Sequence, residues 1–126
     1  MKVILFDLGD TLEHNGALLP GAARMLTAIS RFHDDNQQPL EMGLVSDFEM
    51  PSNPADIPSI RQQYLMILKT LQILAFFEPV ERRVTLSTEV GVFKPDRRVF
   101  RVVLDKFDPT FPLKRRCSSL KIKITL

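Results

Sequence analysis

Three residues that suit anion binding follow an apolar run near the start of the chain. Residues 3–6 are Val, Ile, Leu and Phe, and Asp7, Gly9 and Thr11 lie within the next five positions. A short apolar run that ends at Gly and Asp is typical of a buried parallel strand and the loop after it. In an open α/β sheet, ligands bind outside the carboxyl ends of the strands. We therefore expect a ligand site here, where the Gly9 backbone can approach a bound anion.

Two later stretches carry polar residues that extend this pattern. Residues 42–47 read Met-Gly-Leu-Val-Ser-Asp, an apolar strand that ends in a hydroxyl residue, and residues 87–100 contain Lys-Pro-Asp at positions 94–96. Together with residues 3–12, these stretches resemble motifs I, II and III of the haloacid dehalogenase-like (HAD) hydrolase superfamily. The three motifs occur in the family's order, and the resemblance covers residues 2–107.

The resemblance implies a chemical role for each matched residue. Asp7 is the candidate nucleophile, which attacks phosphorus and forms an aspartyl phosphate. Lys94 and Mg²⁺ neutralise the charge of the phosphate, and Asp7 and the Gly9 carbonyl are the implied Mg²⁺ ligands. Hydroxyl, backbone N–H and ammonium groups hold the phosphate, and the implied donors are Leu8, Gly9, Thr11, Ser46 and Lys94.

The chain departs from the family pattern directly after the nucleophile. The family's second aspartate protonates the leaving group and later activates water, but Gly9 occupies its position and Asp10 comes one residue later. We take Asp10 as the candidate acid, although one step along the chain redirects a side chain. By resemblance, members without the second aspartate include dehalogenases and phosphonate-cleaving enzymes.

A second departure concerns the C-terminal end of the sequence. Motif IV, an apolar strand followed by a pair of acids that complete the Mg²⁺ site, is expected some way after the third helix. No Asp or Glu follows Asp108, so the site lacks its usual acidic ligands. We expect the chain to be a C-terminally incomplete form of a longer HAD protein, with weak activity or none.

The hydrophobic pattern predicts the elements that carry the motifs. Apolar residues at helical spacing predict a helix from Pro20 to about residue 33, one that begins at Asp56 or Ser59, and one over 95–107. Short apolar runs predict strands over 40–45 and 84–86, and residues 87–91 are expected to form a turn. Alternating strands and helices predict an α/β fold, and the resemblance makes it a Rossmann-like, three-layer parallel sheet of HAD type, incomplete at its C-terminal end.

The gaps between the motifs bear on the substrate. The first gap holds one helix, and the second holds a loop and one helix, which leaves no room for a cap domain. By resemblance, capless members have an open site and act on phosphoproteins or other large substrates. We expect a phosphorylated substrate, either a small molecule or a phosphoprotein.

Composition limits the compartment and the partners. The chain has 126 residues, 44% hydrophobic and 25% charged, which is ordinary for one soluble domain. No apolar run approaches the roughly 20 residues of a membrane span, so no membrane partner is expected. The net charge of +2 is small, so no nucleic-acid partner is expected. A single cysteine, Cys117, suits a reducing compartment, and we expect a cytoplasmic protein.

The sequence divides into a core and a basic tail. Residues 1–108 form the predicted HAD-like core, and residues 109–126 form a basic C-terminal tail. Apolar residues alternate with lysines over 120–126, which is typical of a half-exposed strand and makes this segment a candidate edge strand. A sheet without its last unit leaves one edge open, so a homodimer through that edge is a further prediction.

Three functional hypotheses follow. The first is a Mg²⁺-dependent phosphatase that uses an aspartyl nucleophile, and the second is a catalytically inactive HAD-like binding module. The third is a HAD hydrolase that cleaves carbon–halogen or carbon–phosphorus bonds, which would account for Gly9, although such enzymes usually carry a cap.

Overall fold

The computed structural model describes residues 2–33, 36–108 and 121–125 of the chain. It is a mixed α/β structure with six strands, five α-helices and two short 3-10 helices (Pro54–Asp56 and Leu74–Phe77) in these residues. The strands are β1 (Lys2–Phe6), β2 (Glu13–His14), β3 (Ala17–Leu18), β4 (Leu40–Ser46), β5 (Val84–Leu86) and β6 (Lys121–Thr125). The helices are α1 (Ala22–Ser30), α2 (Ile57–Thr70), α3 (Val80–Arg83), α4 (Ser87–Val90) and α5 (Arg97–Phe107).

Four parallel strands form the main sheet, in the order β5-β4-β1-β6. Phe6, at the end of β1, pairs with Leu44, and Ser46, at the end of β4, pairs with Leu86. The carboxyl ends of β1, β4 and β5 therefore lie along one edge of the sheet. The predicted α/β class with a parallel sheet is confirmed, and the three predicted strands and three long helices are present.

Apolar side chains cover both faces of the sheet. Because side chains alternate along a strand, Val3 and Leu5 of β1 pack on one face with Val99 of α5, while Phe6 packs on the opposite face with Leu26 of α1. Tyr64 and Leu68 of α2 belong to the same core as Phe6. Helices thus lie on both sides of the sheet, which leaves its carboxyl edge accessible.

Two local features differ from the sequence-based prediction. Residues 87–91 were expected to form a turn, but Ser87–Val90 form a helical turn, because the Glu89 carboxylate accepts the Leu86 N–H (2.9 Å) and Gly91 ends the turn at φ 89°. The β2–β3 hairpin was not predicted, since strands of two residues carry no periodic signal. It follows the Asp7 loop and closes on it, as Asp10 N–H donates to the Glu13 carbonyl (2.7 Å).

The β5 edge of the sheet is covered by cationic side chains. The Val84 carbonyl accepts hydrogen bonds from Arg61 Nη1 (3.2 Å) and Lys106 Nζ (3.1 Å). Both cations also contact Glu89 Oε1, at 2.9 and 3.0 Å. Burial lowers the pKa of Lys106 although the Glu89 carboxylate opposes this. This edge is therefore poorly suited to pairing with another chain, and the predicted homodimer stays a prediction for the opposite edge.

The predicted tail lies mostly outside the described residues. Only Lys121–Thr125 of residues 109–126 are described, and they form β6, parallel to β1. The division of the chain at residue 108 therefore stays a prediction, and Cys117 lies outside the described residues. Within the described residues, no helix is long and apolar enough to cross a membrane.

Gly43 in β4 is expected to tolerate no side chain. A Cβ at this position would lie 2.7 Å from Phe107 Cζ and 3.0 Å from Leu5 Cδ2. Overpacking of this kind costs about 1–3 kcal/mol, so Gly43→Ala should lower the free energy of unfolding by that amount in urea titrations. Gly9→Ala is the matched control, because a Cβ there meets nothing within 4 Å. Equal free energies of unfolding for the two variants would contradict the close packing.

Candidate active site

A pocket of about 370 Å³ lies where β1 and β4 end. Its charged and hydroxyl-bearing lining comes from the loop after β1, from β2, from the end of β4 and from the segment before α5, besides the Tyr64 hydroxyl of α2. These polar side chains are Asp7, Glu13, Ser46, Asp47 and Lys94. The volume falls at the lower end of the range found for small-molecule sites, about 300–1,000 Å³.

The central contact of the pocket joins Asp7 to Lys94. Lys94 Nζ lies 3.1 Å from Asp7 Oδ1 and donates a hydrogen bond to the Val45 carbonyl (2.9 Å). The lysine side chain is 10% exposed and the aspartate side chain 28%. An ammonium group has three donors, so one remains for a ligand. Asp7 thus faces the pocket beside a fixed positive charge.

The backbone of the next residue also holds the Asp7 carboxylate in place. The Leu8 N–H donates to Asp7 Oδ1 (2.9 Å). This N–H was predicted to bind phosphate, but in the structure it serves the carboxylate. The Lys94 ammonium and the Leu8 N–H both contact Oδ1 of this carboxylate. Within the described residues, Oδ2 is therefore free to react or to bind a cation.

The segment that carries Lys94 is fixed at both ends. The Lys94 N–H donates to Asp47 Oδ1 (2.8 Å), which ties the segment to the end of β4. Asp96 caps α5 by accepting the Arg98 N–H (2.9 Å), and hydrogen bonds with Arg98 lower the pKa of Asp96 to about 2. Asp96 therefore has a structural role, because it caps α5, which begins at Arg97, three residues after Lys94.

Ser46 enters the pocket from the end of β4. Its side chain is buried, and its hydroxyl forms a hydrogen bond with the hydroxyl of Tyr64 on α2. Burial raises the pKa of Tyr64, which keeps the phenol protonated. When the tyrosine donates in this bond, the Ser46 hydroxyl proton is available to a ligand.

The structure brings most of the predicted site residues together. The pocket is lined by five of them, Asp7, Leu8, Gly9, Ser46 and Lys94. Asp10 and Thr11 lie outside the pocket lining. Asp10 has a left-handed backbone (φ 59°), and its Oδ1 lies 2.7 Å from His14 Nδ1 on the exposed surface. The structure thus does not place the Asp10 carboxylate where an acid for the leaving group is needed.

Five lining residues were not among the predicted site residues. The sequence indicates Asp47 as a site residue only weakly, because it directly follows Ser46 at the end of a strand. Glu13 belongs to the unpredicted hairpin, and Phe48 to a segment predicted as a loop. Tyr64 and Ile67 follow the apolar stripe of α2, which predicts core packing against the sheet, with a partner-binding face as the alternative. Nothing in the sequence distinguishes these two from the rest of the stripe.

The charges of the pocket bear on the expected Mg²⁺. Three carboxylates, those of Asp7, Glu13 and Asp47, face one ammonium group, and this balance favours a cation over a bare phosphate dianion. No group of three or more His, Cys, Asp or Glu side chains that could hold a metal occurs within residues 2–33 and 36–108. Mg²⁺ commonly binds through one or two carboxylates together with waters and substrate phosphate. The donor chemistry of Asp7 and the Gly9 carbonyl fits such a loosely held ion.

Comparisons with protein-family models, with curated proteins and with solved structures gave no match to the chain.

Proposed function

We propose that the chain is a HAD-type phosphohydrolase that uses Asp7 as its nucleophile. The observation that carries the proposal is the contact between Asp7 and Lys94 at the carboxyl end of β1, inside a pocket that also holds Ser46. A carboxylate, an ammonium and a hydroxyl are the groups that phosphoryl transfer to an aspartate requires. Their arrival from three separate segments also supports the resemblance in motifs I to III.

The proposed reaction has two steps. First, Asp7 Oδ2 attacks phosphorus, the bond between phosphorus and the ester oxygen breaks, and the leaving group departs with its electron pair. Lys94 and Ser46 donate hydrogen bonds to the phosphoryl oxygens, which carry the charge in the transition state. Water then hydrolyses the aspartyl phosphate, which restores the carboxylate and releases inorganic phosphate.

Mg²⁺ belongs to the proposal as a cofactor. Asp7 and the Gly9 carbonyl would hold it, and when bound it would offset the negative charge of the phosphate and of the three carboxylates. Asp47 lines the same pocket and is a further candidate ligand, although its Oδ1 accepts the Lys94 N–H. The proposed substrate is a phosphorylated small molecule or phosphoprotein, and the proposed location is cytoplasmic.

One observation favours a second function, a binding module without turnover. The Asp10 carboxylate contacts His14 on the surface, so the described residues supply no acid from that position. A site that keeps Asp7, Ser46 and Lys94 could then bind a phosphate without cleaving its ester. Gly9 would also suit a hydrolase for carbon–halogen or carbon–phosphorus bonds, and the Lys94 ammonium and the Ser46 hydroxyl favour a substrate with a charged phosphorus group over a halide.

The test is turnover of an aryl phosphate by the purified chain, with Mg²⁺ and with a chelator. We expect turnover that requires Mg²⁺ and that falls to background in Asp7→Asn, which keeps the side-chain shape but removes the nucleophile. Asp105→Asn, an exposed position on α5, makes the same chemical change away from the pocket and should retain activity. Absence of turnover from a chain that circular dichroism shows to be folded would contradict the hydrolase and favour the binding module.

A further inference from the structure

One wall of the candidate active site is apolar. The pocket lining includes the apolar side chains of Leu8, Phe48 and Ile67 and the ring of Tyr64, which together form this wall. Tyr64 and Ile67 are three residues apart and therefore lie on the same face of α2. Ile67 is a large apolar residue, yet it is 37% exposed. A ligand whose phosphate meets Lys94 would have its ester group beside this wall.

The apolar wall is already formed and held in place. The rings of Phe48 and Tyr64 meet edge to face, with centroids 5.3 Å apart and planes at 72°. The Phe48 N–H donates to Ser87 Oγ (2.8 Å), and the Phe48 carbonyl accepts from the same hydroxyl (3.2 Å). The Tyr64 hydroxyl is bonded to Ser46. A preformed apolar surface binds a planar apolar group without the cost of ordering side chains.

We propose that the site is selective for phosphate monoesters of an aromatic group, an inference that rests on the proposed phosphohydrolase function. The ring of the ester would pack on Phe48, Tyr64 and Ile67, while the phosphate binds beside Asp7, Ser46 and Lys94. The alcohol that leaves from an aryl ester is a phenol, which is far more acidic than an alkyl alcohol. An aryl leaving group therefore depends less on a proton donor than an alkyl one. This agrees with the position of the Asp10 carboxylate, which contacts His14 on the surface and not the pocket.

Binding of two phosphonates tests this selectivity without any chemical step. Phenylphosphonate and methylphosphonate carry the same charged group on a non-hydrolysable bond, so the ratio of their dissociation constants isolates the contribution of the ring. With Mg²⁺ present, titration calorimetry should show phenylphosphonate binding about tenfold more tightly, the gain expected for a half-buried aromatic ring. Equal dissociation constants would overturn the inference.

Two neighbouring positions on α2 supply a variant and its matched control. Ile67→Ser should reduce the ratio of the two constants by about threefold, because it removes apolar area from the wall. Met66→Ser makes a similar change at a residue that is 49% exposed and lies outside the pocket lining, and it should leave the ratio unchanged. An equal effect of both substitutions, or no effect of Ile67→Ser, would contradict the proposed wall.

A third ligand, a peptide with a non-hydrolysable phosphotyrosine analogue, tests whether the aryl group belongs to a tyrosine residue or to a small molecule. Binding of the peptide at least as tightly as phenylphosphonate would identify tyrosine phosphate, whereas much weaker binding would identify small aryl esters. Both results support aryl selectivity. The outcome is separate from that of the proposed function, because the phosphonates can show selectivity in a chain without turnover. Turnover with equal phosphonate constants would instead leave the hydrolase standing and remove the selectivity.

Discussion

Gly9→Asp is expected to raise the turnover of alkyl phosphates by about 10²- to 10⁴-fold. A positioned general acid contributes a rate enhancement of this size. In the family that the chain resembles, the aspartate two residues after the nucleophile protonates the leaving group, and Gly9 occupies that position here. An alkyl alcohol is a poor leaving group without a proton, so it should gain far more from the substitution than an aryl ester.

The backbone at position 9 can accept the new side chain. A Cβ built on Gly9 meets no atom within 4 Å, and Gly9 is not among the residues with positive φ. Asp10 differs in its backbone, since its φ is 59°, and its carboxylate contacts His14 on the surface. The first side-chain atom of the new aspartate therefore fits without displacing a neighbour, at a residue that lines the pocket.

The measurement compares kcat/KM for an alkyl phosphate and an aryl phosphate in the wild-type chain and in Gly9→Asp. Gly9→Asn is the matched control, because the amide has the same shape but cannot transfer the proton, and it should not accelerate the reaction. The gain should vanish when Asp7→Asn is added to Gly9→Asp. An equal gain for both esters would contradict the acid role, and no gain for either would contradict the assigned position.

Three polar groups of the candidate site, those of Asp7, Ser46 and Lys94, could be predicted from the sequence because local rules determine where they lie. Asp7 and Ser46 each stand at the end of an apolar run, and the carboxyl ends of parallel strands meet at one edge of the sheet. Lys94 lies far away in the chain, but the tripeptide that contains it resembles a motif of known placement. These three residues line one pocket in the structure.

The apolar wall and the loop conformation could not be predicted in the same way. Tyr64 fits the stripe of α2, and it is buried, but periodicity does not reveal that its hydroxyl reaches Ser46. The direction of the Asp10 side chain depends on a left-handed φ that an ordinary aspartate adopts only when the surrounding turn requires it. Backbone hydrogen bonds close that turn, from the Glu13 N–H to the Leu8 carbonyl (3.0 Å) and from the Asp10 N–H to the Glu13 carbonyl (2.7 Å). The β2–β3 hairpin that follows has two-residue strands, which are too short to carry a pattern.

Lys94→Met is expected to lower the turnover of an aryl phosphate by about 10²- to 10³-fold. Loss of a single donor that stabilises charge in a transition state has an effect of this size. The lysine is the one cation among the lining residues of this pocket, and it contacts both Asp7 Oδ1 and the Val45 carbonyl. Without it, the phosphate dianion meets three carboxylates and no positive side chain. Methionine keeps the length and the apolar stem, so the pocket should retain its shape.

Lys106→Met is a closely matched control for this substitution. Lys106 is also a half-buried lysine whose ammonium contacts a carboxylate, that of Glu89 (3.0 Å), and a backbone carbonyl, that of Val84 (3.1 Å). It lies at the β5 edge, away from the pocket, so its loss should affect the free energy of unfolding and leave kcat unchanged. Steady-state kinetics and urea titrations of both variants separate the two effects. Equal losses of turnover would show that Lys94 acts through stability, whereas a loss confined to Lys94→Met is the result expected of a lysine that binds the reacting phosphate.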